Sequence, residues 1–340
     1  GATIPAQTIT NNTNIAQDLI YTITPVSDGC AGTPFEYTIT VNPEPLIADK
    51  DETICSGETF NVTPVDNSPT EIVPEGTTYS WTTPVSDPVG AITGGSALTE
   101  QTSISQTLTN TTTAPATLTY TVTPDSNGCK NDAFDVVITV NPNGQINAIA
   151  DQTLCDGNST LEVNFGNSNT GAGTVTYNWT NNNPDIGLAA SGTGDIASFT
   201  ASNDTTAQIT GTITATATYT YNDISCEGES QSFTITVNPS PQVDFSQTDQ
   251  VIVSGETTTA VDLTSPTEDV VFSWTVSVPT GISGVTTTSG TDNIPAETMV
   301  NLTTEPLTVV YTAVATGDVG FDCGGLDTLY NVTVNPLAIV

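Results

Sequence analysis

The chain has 340 residues and a formal net charge of −35: 37 acidic residues stand against two lysines, Lys50 and Lys130, with no histidine and no arginine. Such a balance excludes phosphate-backbone recognition, which needs clustered Lys/Arg, and opposes docking on an anionic membrane surface. Without His the commonest general base and metal ligand is missing, and without Arg there is no bidentate carboxylate clamp, so most enzyme classes are excluded too.

No run of about 18 apolar residues occurs, so no transmembrane helix is expected. The chain has no starting Met and no basic n-region, and it reads as mature or as an excerpt of a longer tandem array. In chain order, Thr-Val-Asn-Pro closes a strand-like stretch at Thr40–Pro43, Thr139–Pro142, Thr236–Pro239 and Thr333–Pro336. A repeat of about 97 residues is long enough for each unit to hold its own core. The expected organisation is the C-terminal half of a module at 1–43, whole modules at 44–142, 143–239 and 240–336, and the start of another at 337–340. Linkers after each Asn-Pro are short (Glu44-Pro45, Asn143-Gly144, Ser240-Pro241) and should be semi-rigid.

Within each module the pattern is β. Stretches such as 120–123, 134–140, 211–221 and 233–237 alternate apolar residues with Thr at period two, and Gly, Pro, Asn and Asp punctuate them. Seven or so short strands per module predict an all-β fold of tandem Ig-like two-sheet sandwiches. The 68 threonines are then strand faces rather than low-complexity filler.

Tyr79/Trp81, Tyr177/Trp179 and Phe272/Trp274 lie two apart, so each pair shares a strand face and is expected in the core; the competing reading is a sugar-stacking platform. Cysteines recur early (Cys55, Cys155) and late (Cys30, Cys129, Cys226, Cys323) in the modules. Their placement predicts intra-module disulfides Cys55–Cys129 and Cys155–Cys226. It leaves two unpaired within the chain: Cys30, in a half module that lacks its early part, and Cys323, because Val253 stands where the early cysteine of the last whole module would be. Disulfides imply an oxidising, extracellular compartment.

Ile54-Cys-Ser-Gly-Glu-Thr59, Tyr79-Ser-Trp-Thr82, Gln106-Thr-Leu-Thr-Asn110, Thr119-Tyr-Thr-Val-Thr-Pro124, Gly128-Cys129 and the Val-Asn-Pro closure together resemble the PKD-like domain. The resemblance covers the whole chain and is weakest in the last module. It implies an Ig-like sandwich in long secreted surface proteins of Bacteroidetes, often gliding-associated adhesins exported by type 9 secretion. It implies a stalk or adhesive role and no catalytic residues.

The functional expectation is a non-catalytic structural stalk, a rod of tandem modules in a cell-surface adhesin or extracellular filament; the alternative is a carbohydrate-binding array attached to an extracellular enzyme. Expected partners are neighbouring modules, other copies in a fibre, and surface glycans, with no nucleic acid and no membrane insertion. No cofactor is required. Calcium is the one candidate, through Asp49, Asp51, Asp151, Asp244 and Asp249 near the linkers. No DxDxDG loop occurs among these, and as a set they do not recur at fixed offsets. Asp204-Thr205-Thr206 and Asp327-Thr328-Leu329 resemble an Asp-Thr-apolar O-glycosylation site, making Thr205 and Thr328 the candidate acceptors.

Overall fold

A computed structural model describes residues 3–317 and 323–338; the outer residues of the expected 1–43 and 337–340 segments lie outside this range. Among the described residues there is no α-helix, only strands and one 3₁₀ turn at Pro184–Ile186. The fold is all-β, a tandem series of Ig-like β-sandwich repeats.

Residues before the first whole repeat form an antiparallel hairpin of β1 (Gln17–Ile23) and β2 (Phe35–Val41). The first complete repeat contributes β3 (Lys50–Cys55), β4 (Thr59–Val62), β5 (Thr78–Trp81), β6 (Leu98–Gln101), β7 (Ile104–Thr107), β8 (Ala116–Ser126) and β9 (Phe134–Asn141). Its main sheet runs β6-β5-β8-β9-β3. The second has β10 (Gln152–Cys155), β11 (Thr174–Asn181), β12 (Ser191–Thr193), β13 (Ile209–Tyr221), β14 (Ile224–Glu227) and β15 (Gln231–Asn238), ordered β12-β11-β13-β15-β10 with β14 on β13. The third has β16 (Gln250–Val253), β17 (Val270–Ser277), β18 (Ser289–Gly290), β19 (Leu307–Gly317) and β20 (Thr328–Asn335), ordered β18-β17-β19-β20-β16.

In all three, the strand that opens the repeat lies parallel to the strand that closes it. Lys50 to Cys55 pair with Val136 to Asn141, Gln152 to Cys155 with Ile235 to Asn238, and Gln250 to Val253 with Val332 to Asn335. The other pairings whose register is described in these sheets are antiparallel.

The facing sheet is slighter than the two-sheet expectation. In the first repeat it includes the β4–β7 ladder, whereas the equivalent stretches later touch only at single bridges, Ser159↔Thr200 and Val163↔Ile196, then Thr257↔Thr298 and Val261↔Ile294.

The period-two pattern is realised in the central strands. β8 alternates buried with half-buried or exposed positions throughout, and β13 and β19 alternate buried and half-buried positions along almost their whole length. Apolar side chains point into the core and threonines point out. Outward threonines pair across strands, as in Thr210 with Thr236 and Thr308 with Thr333.

The chain divides into two compact units that do not follow the repeat boundaries. One holds residues up to Asn147 with Gly166–Thr176 and Thr216–Glu229; the other holds Ala148–Phe165, Tyr177–Ala215 and everything from Ser230 on. Each has a core in which a tryptophan meets a tyrosine of the central strand. Trp81 packs edge-on to Tyr120 with ring centres 6.0 Å apart, and Trp274 packs on Tyr311 at 5.7 Å. Burial raises the hydroxyl pKa of Tyr79 and of Tyr311 to about 12, so these tyrosines stay neutral at any physiological pH.

Candidate functional site

The chemistry-bearing features of this chain gather at the ends of the repeats. The first is a polar latch built four times. Asn110, buried, donates from Nδ2 to the carbonyls of Ala114 (2.8 Å) and Val140 (2.7 Å), while its Oδ1 accepts from the Thr112 N–H and hydroxyl (both 2.8 Å). Asn203 does the same with Ala207, Val237 and Thr205, and Asn301 with Glu305, Val334 and Thr303. Asn11 repeats it with Ile15, Val41 and Thr13 in the first hairpin. Each latch ties the turn that leads into the central strand to the closing strand. All four amide groups are fully used, which is what makes a buried Asn favourable here.

The second feature is covalent, and it corrects the expected disulfides. Cys55 bonds Cys226 and Cys155 bonds Cys323, with Cα–Cα separations of 5.4 and 5.6 Å. Each links the early cysteine of one repeat to the late cysteine of the next. The parallel register explains why. Cys55 lies opposite Asn141 at the end of β9, whereas Cys129 pairs with Ser126 in the hairpin before β9 begins. Eight residues of strand span about 25 Å, far beyond the roughly 7 Å Cα limit of a disulfide. The parallel register of Cys155 opposite Asn238 likewise excludes the expected Cys155–Cys226 bond. Cys323, expected to be unpaired, is therefore bonded. The free thiols are Cys30, exposed, and Cys129, half-buried.

Around each disulfide the linker docks on the next repeat's late hairpin. The Gly144 N–H donates to the Cys226 carbonyl (3.1 Å), and Asn141 Nδ2 donates to the Tyr221 carbonyl (2.9 Å). Asn169 receives the Gln145 N–H and donates to the Asn143 carbonyl. Gly228 faces Gly144 so closely that a Cβ there would collide with the Gly144 carbonyl; Gly325 stands in the same relation to Pro241. Two residues after the late cysteine, only glycine lets the linker backbone lie this close.

Three of the five candidate calcium ligands hold backbone amides. Asp49 accepts the Asp135 N–H (2.8 Å), Asp151 the Thr234 N–H (2.6 Å) and Asp249 the Asn331 N–H (2.9 Å). Three of the five are thus structurally equivalent although their spacing varies. Each carboxylate takes the N–H of the residue just before the parallel ladder starts, which sets the register of the opening strand against the closing one. Asn331 also donates its side-chain amide to Asp249; this bond and the backbone one hold the Asp249 carboxyl below its ordinary value. Asp51 and Asp244 are exposed on their strands. Among the described residues, no three His, Cys, Asp or Glu side chains converge as metal ligands would.

One carboxylate is buried. Glu297, 6% exposed, accepts from the Thr286 hydroxyl and N–H and from the Thr287 N–H (2.9 Å). Burial raises its pKa, but the bonds from Thr287 and Thr286 outweigh that and leave it below the ordinary 4.5. In the first repeat Gln106 clamps Ser96 at the equivalent place. Because the folded value is depressed, Glu297 stabilises the fold at pH above the unfolded carboxylate's pKa, and that stability is lost as pH falls through the folded value. Glu297→Gln is therefore expected to flatten the acid limb of a stability–pH curve measured by denaturant unfolding between pH 3 and 7. An unchanged limb would show that Glu297 is not the group responsible.

Of the aromatic pairs, Tyr79, Trp81, Trp179 and Trp274 are buried, while Tyr177 and Phe272 are half-buried. Trp81 Nε1 donates to the Ser96 carbonyl and Trp274 Nε1 to the Asp292 carbonyl. The indoles are core, and no tryptophan presents a stacking face to solvent. Thr205 Oγ1 belongs to the Asn203 latch and donates to the Ala207 carbonyl (2.8 Å), so a glycan on that oxygen would remove its donor. Thr328 is half-buried at the start of β20, its hydroxyl toward the Leu326 carbonyl (3.4 Å).

Parallel opening and closing strands, a polar latch in every repeat and disulfides that step from one repeat to the next define a class: tandem sandwich repeats stapled to their neighbours. The family model of the PKD-like domain matches residues 1–45, 52–144 and 249–338, and the chain belongs to that family. No curated protein matches. Among solved structures the chain is similar to mouse cadherin-23 EC22-24 (16% identity, 86% of this chain and 97% of that one, TM-score 0.35). It is also similar to titin domains I67-I69 (12%, 85% and 96%, TM-score 0.38) and to the N-terminal eight Ig domains of Down Syndrome Cell Adhesion Molecule (12%, 94% and 40%, TM-score 0.38).

Proposed function

We propose that the chain is the non-catalytic repeat region of a secreted surface adhesin or extracellular filament, of the gliding-associated kind that Bacteroidetes export by type 9 secretion. The observation that carries this reading is the pair of disulfides between successive repeats. A bond inside a domain stabilises that domain; a bond from one repeat to the next fixes their junction, which serves a spacer that must hold its length. Disulfides also require an oxidising compartment outside the cytosol. Acidic surface with almost no Lys or Arg suits a chain that stays soluble and presents few sites to trypsin-like proteases. The partners in this reading are neighbouring repeats, other copies in a fibre, and the surface or glycan held at the far end. Burial of Trp81, Trp179 and Trp274 removes the stacking platform on which a carbohydrate-binding array would depend.

In this reading the repeats stand end to end as a stalk. Strands of about ten residues give each repeat roughly 35–45 Å of length, and the whole chain a radius of gyration of about 40 Å. A compact globule of this many residues would have about 20 Å. Small-angle X-ray scattering separates the two: a value of about 40 Å with a rod-like cross-section supports the stalk, and one of about 20 Å rejects it.

A further inference from the structure

We infer that the two disulfides form an overlapping ladder that limits how far the chain can be drawn out under load, and that the limit survives the loss of either bond. It follows from connectivity alone and holds whatever the stalk carries at its end.

The loop closed by Cys55–Cys226 and the loop closed by Cys155–Cys323 share residues 155–226. Tension entering at the N-terminus runs along the backbone to Cys55 and crosses to Cys226. It then returns along the shared segment to Cys155, crosses to Cys323 and leaves through the C-terminal residues. That is the shortest covalent route, so it is the one that becomes taut. Residues 56–154 and 227–322 stay slack even when every non-covalent contact is gone. At about 3.5 Å per residue, a taut path of about 145 residues gives a limit of about 500 Å, against about 1200 Å for the uncrosslinked chain.

Overlap makes the two bonds redundant. With only one of them, the shortest route contains about 170 residues whichever bond remains, or about 600 Å. Breaking one bond thus lengthens the tether by about a fifth, and breaking both lengthens it by about 2.3-fold. Disulfides confined within repeats would behave otherwise. Closing 55 to 129 and 155 to 226 leaves about 197 residues taut, or about 700 Å.

The test is single-molecule extension of the full chain held by handles at its two ends, in a C30S/C129S background so that no free thiol reshuffles the bonds. The expected limits are about 500 Å for the oxidised chain, about 600 Å for C55S/C226S or C155S/C323S, and about 1200 Å after dithiothreitol. An oxidised limit of about 700 Å or about 1200 Å would overturn the ladder, and so would a single pair of substitutions that released the full length. The readout is a covalent length, so it does not depend on whether a variant refolds. Dithiothreitol added to the wild-type chain during extension repeats the fully open state without substitutions.

Discussion

Asn110→Ala is expected to destabilise the first complete repeat by about 3–5 kcal/mol, a large effect for one polar side chain. Alanine removes four hydrogen bonds at once and leaves the carbonyls of Ala114 and Val140 without their donors. Asn110 is buried, so water does not freely replace what is lost; each buried group left unsatisfied costs about 1–3 kcal/mol. Asn110→Asp should be nearly as damaging, because the acid keeps the acceptor side of the latch and loses both donors. Asn11→Ala is the internal comparison. It breaks the same four bonds in a hairpin whose strands are largely exposed, where water can substitute, and should cost clearly less. Guanidinium unfolding of the single variants measures both. Equal losses at Asn110 and Asn11 would mean that burial is not what makes the latch strong.

C55S/C226S is expected to cost up to about 5 kcal/mol in the chain-entropy account of a 171-residue loop. Two local costs act in the same direction: Cys226 is 1% exposed, so serine there buries a hydroxyl, and the docked linker loses its covalent tie. Cys129→Ser provides the contrast. Cys129 is free in this structure, and its replacement should change stability by no more than about 0.5 kcal/mol. Were Cys55 bonded to Cys129 instead, C129S would break that bond and be costly, so the C129S result separates the two pairings. Unfolding midpoints measured in oxidising buffer distinguish the two patterns.

Much of the fold was legible because repetition makes local signals add. Thr-Val-Asn-Pro recurs at nearly constant spacing, and alternation along 134–140 and 211–221 marks strands whose apolar residues the structure buries. Aromatic pairs two residues apart placed a tryptophan in each core for the same reason of period. The latch was visible only in part. Asn-x-Thr stands at Asn11, Asn110, Asn203 and Asn301, each about 32–36 residues before the Asn-Pro stop, but without the fold such a tripeptide reads as an ordinary turn or a glycosylation acceptor.

Cysteine pairing was not legible, and the reason is strand direction. Two early and four late cysteines can be joined within or between repeats with the same number left over. What decides is that the opening strand runs parallel to the closing one, which carries Cys55 and Cys155 to the far end of the sheet. One signal did point that way. Pairing within repeats strands Cys323 in a complete repeat whose early position holds Val253, whereas pairing between repeats leaves over the first two late cysteines, Cys30 and Cys129. The equivalence of three aspartates was hidden for a related reason. Asp49, Asp151 and Asp249 are equivalent only once the parallel register shows each facing the residue before its ladder.

The stapled-repeat architecture rests on which cysteines are joined, and peptide mapping reads that directly. Native protein, its free thiols blocked with N-ethylmaleimide, would be cleaved at Glu and aromatic residues without reduction and analysed by mass spectrometry. An inter-repeat ladder yields linked peptides containing Cys55 with Cys226 and Cys155 with Cys323, and alkylated Cys30 and Cys129. Peptides joining Cys55 to Cys129, or Cys155 to Cys226, would contradict it.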